Sequence, residues 1–132
     1  MRGLIMRWHR KKPPVEFVYH AAAACTAESI EMDGIINWGT GIYVTTTPED
    51  ALRLTAWKLF DHAHQEGVVA HDTVIVWKIA VGLLSGDGRW SKGTDHSELL
   101  DVDSWVYSGS IPYWALLGAT AYLRPALDSV GE

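Results

Sequence analysis

Apolar positions along this chain come in short extended runs separated by turn residues, with helical spacing in two places. In residues 15–20, Val15, Phe17 and Tyr19 fall on one face of an extended chain, which predicts a first strand. Residues 22–33 read as a short helix. Ala23, Ala24, Ala27 and Ile30 share its inner face, and Gly34 is its stop. A loop over 35–41 leads to a short strand over 42–45. Thr47-Pro48-Glu49-Asp50 is a helix start, with Thr47 as cap, Pro48 in the first turn and Asp50 completing a capping box. This second helix is expected to run to about Gln65, with Leu52, Ala56, Leu59, Phe60 and Ala63 inward and Gly67 at its end. Residues 73–81 are β-branched, aromatic and apolar almost throughout, as in a central strand. The Gly, Asp and Ser residues of 85–97 predict a loop. A strand over 104–107, a turn over 108–112, a helical turn over 113–117 and a last strand over 119–123 follow. Strands and helices mix without regular alternation, so the expected class is α+β rather than a doubly wound sheet.

A length of 132 residues suits one domain with one core, and seven Trp residues supply large apolar side chains for it. Residues 15–124 form the expected domain, between an arm over 1–14 and a tail over 125–132. The net charge of -5 argues against a general polyanion binder. The exception is the arm, where Arg2, Arg7, Arg10, Lys11 and Lys12 gather. It reads as a solvated segment, with a nucleic-acid arm as the alternative. The single cysteine, Cys25, permits no intramolecular disulfide and reads as a small packed residue. A cytoplasmic setting is expected. No apolar run has the length of a membrane span, and the basic run after Met6 does not fit a signal peptide.

The candidate chemistry gathers in three segments. They are Tyr19-His20-Ala21; Gly39-Thr40-Gly41-Ile42-Tyr43-Val44-Thr45, with Pro48-Glu49-Asp50 behind it; and residues 104–112, ending in Gly109-Ser110-Ile111-Pro112. Alone, His20 is an ordinary strand-end histidine and Tyr43 an ordinary cross-strand aromatic. Thr45, Thr46 and Thr47 read most simply as strand and cap residues. As an ordered set, the segments resemble the His-Tyr-Glu type of the ADP-ribosyltransferase superfamily, which includes diphtheria-toxin-like and poly-ADP-ribose-polymerase-like enzymes. The resemblance covers about residues 15–117 and implies a split mixed or antiparallel sheet with a few helices.

The resemblance further implies NAD as substrate and a protein or nucleic-acid acceptor. Under it His20 anchors a ribose hydroxyl and Tyr43 stacks nicotinamide. The Ala21 backbone pairs with the carboxamide, Gly39 and Gly41 allow close backbone approach, and Trp38 and Thr45 complete the pocket. The family's glutamate lies seven residues before the Ile of the Ile-Pro turn, which here is Ser104, with Asp103 adjacent. Asp101 and Glu98 lie further upstream. Ser104 can donate a hydrogen bond but supplies no charge for an oxocarbenium-like state. Asp103 points to the opposite face of an ideal strand, unless a bulge turns it.

Three functions therefore stand side by side. One is an NAD-dependent mono-ADP-ribosyltransferase of the small toxin or phage-effector kind. Another is a catalytically degenerate binding or inhibitor module that keeps the fold and binds NAD without turnover. The third, an RNA 2′-phosphotransferase relative, needs basic residues around a phosphate site, and only the arm and Arg89 offer them. No metal is expected: His62, His64 and His71 lack a ligand spacing, since i and i+2 on a helix face apart. Trp77 reads as core. Trp38 and Trp90 fall in predicted loops, where aromatics often mark binding or a lid. Gly86-Asp87-Gly88 is a turn without the context of a phosphate loop.

Overall fold

The strongest apolar alternation becomes the inside of a β-sheet. In the computed structural model of the chain, residues 12–55, 73–84, 88–93 and 102–123 are described. Six strands form one sheet: β1 (Phe17–Ala23), β2 (Ile42–Thr45), β3 (Thr73–Ala80), β4 (Trp90–Lys92), β5 (Ser104–Tyr107) and β6 (Leu116–Leu123). Their order is β4-β5-β2-β1-β3-β6, and every described pairing is antiparallel. Two helices accompany them, α1 (Ala27–Asp33) and α2, helical over 48–55. The molecule is a small α+β domain. Residues 1–11 of the expected arm, the second helix beyond residue 55 and the expected tail over 125–132 lie outside the described residues.

Side chains alternate between the two faces of a strand, so paired residues share a face. Val18, Val44, Trp77, Ile79 and Tyr107 point to one side, where Ile30 of α1, Ile35, Ile111 and Ala115 close the main core. On the other side Ala51 and Leu52 of α2 pack on Val74 and Val76, with Tyr19, Ala21 and Tyr122 at the margin. Val18, Val44, Val74 and Ile79 are wholly buried. Each such side chain removed from water contributes roughly 1.5–3 kcal/mol. The expectation of a buried Trp77 holds, with 5% of its surface exposed. β3 sits between β1 and β6, as its apolar sequence requires.

Several local expectations change. The first strand does not stop at His20. Ala21, Ala22 and Ala23 continue it, opposite Val76, Ile75 and Val74 of β3. Alanine's helix preference is small per residue, and seven in-register pairs with an apolar central strand override it. The helix accordingly starts at Ala27 after a 3-10 turn over Ala24–Thr26. Cys25 lies in that turn and is exposed, not packed. The expected loop over 85–97 contains β4, too short to leave a periodic signal. It pairs with β5, and Trp90 is thereby a strand residue, its ring 4.7 Å from that of Tyr107. The last strand begins at Leu116, earlier than expected, behind a 3-10 turn over Tyr113–Ala115. Gly34 ends α1 with φ 79°, as the sequence predicts. Thr47 caps α2 through its hydroxyl, which accepts the Asp50 N–H at 3.1 Å. The Asp50 carboxylate is turned to the Asp103 N–H, 3.3 Å away.

One junction in the sheet differs from the rest. β1 and β3 align along seven residue pairs, whereas β1 and β2 share a single aligned pair, Tyr19 opposite Thr45. Beyond that pair the two strands part, and a cleft opens between them.

Candidate functional site

The cleft between β1 and β2 is a cavity of about 360 Å³, lined among others by His20, Ala21, Trp38, Gly41, Tyr43 and Thr45. His20 sits in the middle of β1, opposite Trp77 of β3. Register gives His20 the face of Val18, and gives Tyr43 the face of Tyr19 and Thr45. In a continuous sheet these two side chains would be separated by the backbone. Here the strands have parted, and both residues line one cavity.

A side-chain bond spans the gap. His20 Nδ1 lies 2.8 Å from the Tyr43 carbonyl oxygen. A carbonyl only accepts, so Nδ1 carries the proton and donates. In the neutral ring Nε2 is then the accepting nitrogen. Ala21 follows on the same strand, and its carbonyl is met by the Thr55 hydroxyl of α2 at 3.5 Å. The Thr45 hydroxyl donates to the Thr47 carbonyl at 2.6 Å, which ties the end of β2 to the start of α2. Thr45 is thus both a wall of the cavity and a corner bond of the fold.

The rim is the segment from Ile35 to Gly41. Ile35 is pinned to Ile111 by two backbone bonds of 2.8 Å. Gly39 and Gly41 have φ of 114° and 86°, a region in which a side chain is strained. At Gly41 a Cβ would also run into Val106 Cγ1 of β5. Gly41 therefore allows β2 to enter the sheet tightly against β5. Gly39 curves the rim without lining the cavity, and a Cβ there would meet nothing. Trp38 stands at the mouth with 87% of its surface exposed.

The third position lies elsewhere. Ser104 begins β5 opposite Thr45, is 2% exposed, and packs against Gly93. Asp103 precedes the strand and binds outward. Its carboxylate accepts from the Thr46 hydroxyl at 3.1 Å and pairs with Lys92. Neither residue lines the cavity. Glu98, Asp101, His62, His64 and His71 lie outside the described residues. Among the described residues, no group of three or more His, Cys, Asp or Glu side chains could hold a metal ion. No helix among them is long and apolar enough to cross a membrane.

Six of the cavity's lining residues are ones the sequence singles out as ligand contacts, but the sequence reading missed the wall from α2 and the far end of β1. Ala51, Leu54 and Thr55 line it from α2, and Ala22 and Ala23 from the far end of β1. The sequence carried no signal for the alanines, because 22–23 read as helix. The role of Asn37 was missed as well. Its Oδ1 accepts the N–H groups of Gly39 at 2.8 Å and Gly41 at 2.9 Å, and its Nδ2 donates to the Ser108 carbonyl. An Asn two residues before a glycine is the available signal, since its side chain readily bonds the backbone just ahead. Comparison with known proteins returned no matching protein family and no similar curated sequence.

Proposed function

We propose that the chain is an NAD-dependent mono-ADP-ribosyltransferase acting on a protein or nucleic-acid acceptor, with the β1–β2 cleft as its NAD site. The supporting observation is the convergence of His20, Ala21, Trp38, Gly41, Tyr43 and Thr45 on one cavity at a split in the sheet. These are residues for which the resemblance to ADP-ribosyltransferases implies ligand contact, and a split sheet is the architecture it implies. A volume of about 360 Å³ falls at the lower end of ligand pockets, roughly 300–1,000 Å³. It suits nicotinamide and its ribose, with the rest of the dinucleotide passing the rim. The Tyr43 ring offers a flat face to nicotinamide. With the Nδ1 proton committed to Tyr43, His20 Nε2 accepts from a ribose hydroxyl and fixes the sugar. Transfer breaks the bond between nicotinamide and ribose, the bonding pair leaving with nicotinamide. A nucleophilic oxygen or nitrogen of the acceptor bonds the same carbon and gives up its proton.

One observation favours a second reading, a nucleotide-binding module without turnover. Asp103 and Ser104 stand away from the cavity, so no carboxylate among its described lining residues supports the developing charge. The deciding experiment measures nicotinamide release from NAD by the wild type, His20→Ala and Tyr43→Ala, with cell lysate as acceptor. Release that both variants lose supports the transferase. No release with calorimetric NAD binding supports the module. Neither release nor binding removes the NAD site from the cleft.

A further inference from the structure

We infer that Asn37 is a positioning residue for the cleft, its side chain shaping residues 37–41 and so holding Trp38 at the mouth. As a statement about NAD it rests on the reading above; as a statement about the rim it stands on the bonding alone. The Asn37 N–H donates to Ser110 Oγ at 2.9 Å. Its Oδ1 takes the Gly39 and Gly41 N–H groups, and its Nδ2 gives to the Ser108 carbonyl. Both sides of the amide are used, which fixes its orientation and requires a group that accepts at one atom and donates at the other. The two positive-φ glycines curl the chain so that both N–H groups reach one oxygen.

The anchor is itself held. Ser108 Oγ accepts the Arg89 N–H at 2.8 Å, and the Ser108 N–H donates to the Arg89 carbonyl at 2.9 Å. A continuous path of bonds therefore runs from the start of β4, through the turn after β5, to the rim of the cavity. Trp38 lies between the two ends of this clasp. At 87% exposure its ring has little packing to set its place, so its position comes from the backbone on either side. A rim aromatic ordered before the ligand arrives costs less to engage than one ordered by it.

The test compares NAD affinity by calorimetry for the wild type, Asn37→Ala, Trp38→Ala and the double variant, with thermal melts as a check on folding. Asn37→Ala is expected to weaken binding about fivefold to tenfold. The double variant is expected to bind within about twofold of Trp38→Ala, because a residue that acts through Trp38 has nothing left to position. Multiplying losses, or wild-type affinity in Asn37→Ala, overturns the inference. A ligand-free readout keeps it separate from the NAD reading. The indole ¹H–¹⁵N resonance of Trp38, identified by its loss in Trp38→Ala, is expected to move in Asn37→Ala while the other indoles stay. If the wild type binds no NAD, the site assignment falls, and an unmoved Trp38 resonance overturns the role of Asn37 independently. Should Asn37→Ala fail to fold, Asn37→Asp keeps the acceptor for the glycines and replaces the donor to Ser108 by a carboxylate oxygen that the Ser108 carbonyl repels. The same resonance, expected to shift, is then read in that variant.

Discussion

His20 Nδ1 donates to the backbone carbonyl of Tyr43 across 2.8 Å, so a side chain does the work of a strand ladder where the ladder has stopped. The bond has two separable parts: the donor that bridges the strands and the second ring nitrogen beyond it. His20→Asn places an amide donor near the Nδ1 position and deletes the other nitrogen. It is expected to keep stability within about 0.5 kcal/mol, while His20→Ala loses about 1 kcal/mol, the usual net value of such a bond. Both variants are expected to lose NAD affinity, because both lack Nε2. Urea unfolding and calorimetry on the same samples check it; NAD binding retained by His20→Asn would assign the ligand contact elsewhere.

Gly41 and Gly39 share positive φ but differ in what surrounds them. Gly41→Ala meets both backbone strain and Val106 Cγ1, whereas Gly39→Ala meets the strain alone. The left-handed penalty is about 1–2 kcal/mol, and overpacking adds about 1–3 kcal/mol. Gly41→Ala is therefore expected to lower stability by at least about 2 kcal/mol, clearly more than Gly39→Ala. Equal losses in thermal melts would mean that β2 can shift away from β5 at little cost.

The corner below the cleft is tied by Asp103. Its carboxylate joins Thr46 and Lys92, and its N–H meets Asp50. Lys92 and Asp103 are 56% and 43% exposed, so solvent and salt screen their attraction. Lys92→Ala is expected to change stability by less than about 1 kcal/mol, and that change is expected to shrink in high salt. A larger, salt-insensitive loss in urea titrations would make Lys92 a packing residue through its place over the Trp105 ring, 4.9 Å from the centroid.

Ser104→Glu supplies a carboxylate at the position where the resemblance implies one. Ser104 is almost wholly buried and sits against Gly93. A charge placed there without a partner costs several kcal/mol. The variant is expected to melt well below the wild type and to release no nicotinamide. A stable variant that releases nicotinamide faster than the wild type would show that β5 can present a carboxylate to the cleft after all.

The central strand is legible in the sequence because its burial leaves a nearly continuous apolar run, Thr73 to Ala80. Turn chemistry is legible for the same local reason: Gly34 and Thr47 act within a few residues of themselves. What the sequence could not carry is pairing. The alanines at 21–23 become strand because β3 lies beside them, and Trp90 to Lys92 become strand because β5 does. The site follows the same rule. His20 and Tyr43 could be named from their segments, but not the parting of their strands, which depends on β1 aligning with β3 in preference to β2. The exposure of Trp38 and the outward turn of Asp103 likewise depend on contacts distant in the chain.

The lone Tyr19–Thr45 pair divides the sheet into two three-stranded panels, β4-β5-β2 and β1-β3-β6. Each panel is well stitched within itself, and few ladder bonds cross from one to the other. A molecule lodged in the seam touches both panels at once and so acts as a rivet. Its binding energy becomes cohesion between them, about 2.7 kcal/mol at a hundred times its dissociation constant. Amide exchange along β1 and β2 is where that cohesion registers, and the seam is where the folded state has most to gain from company.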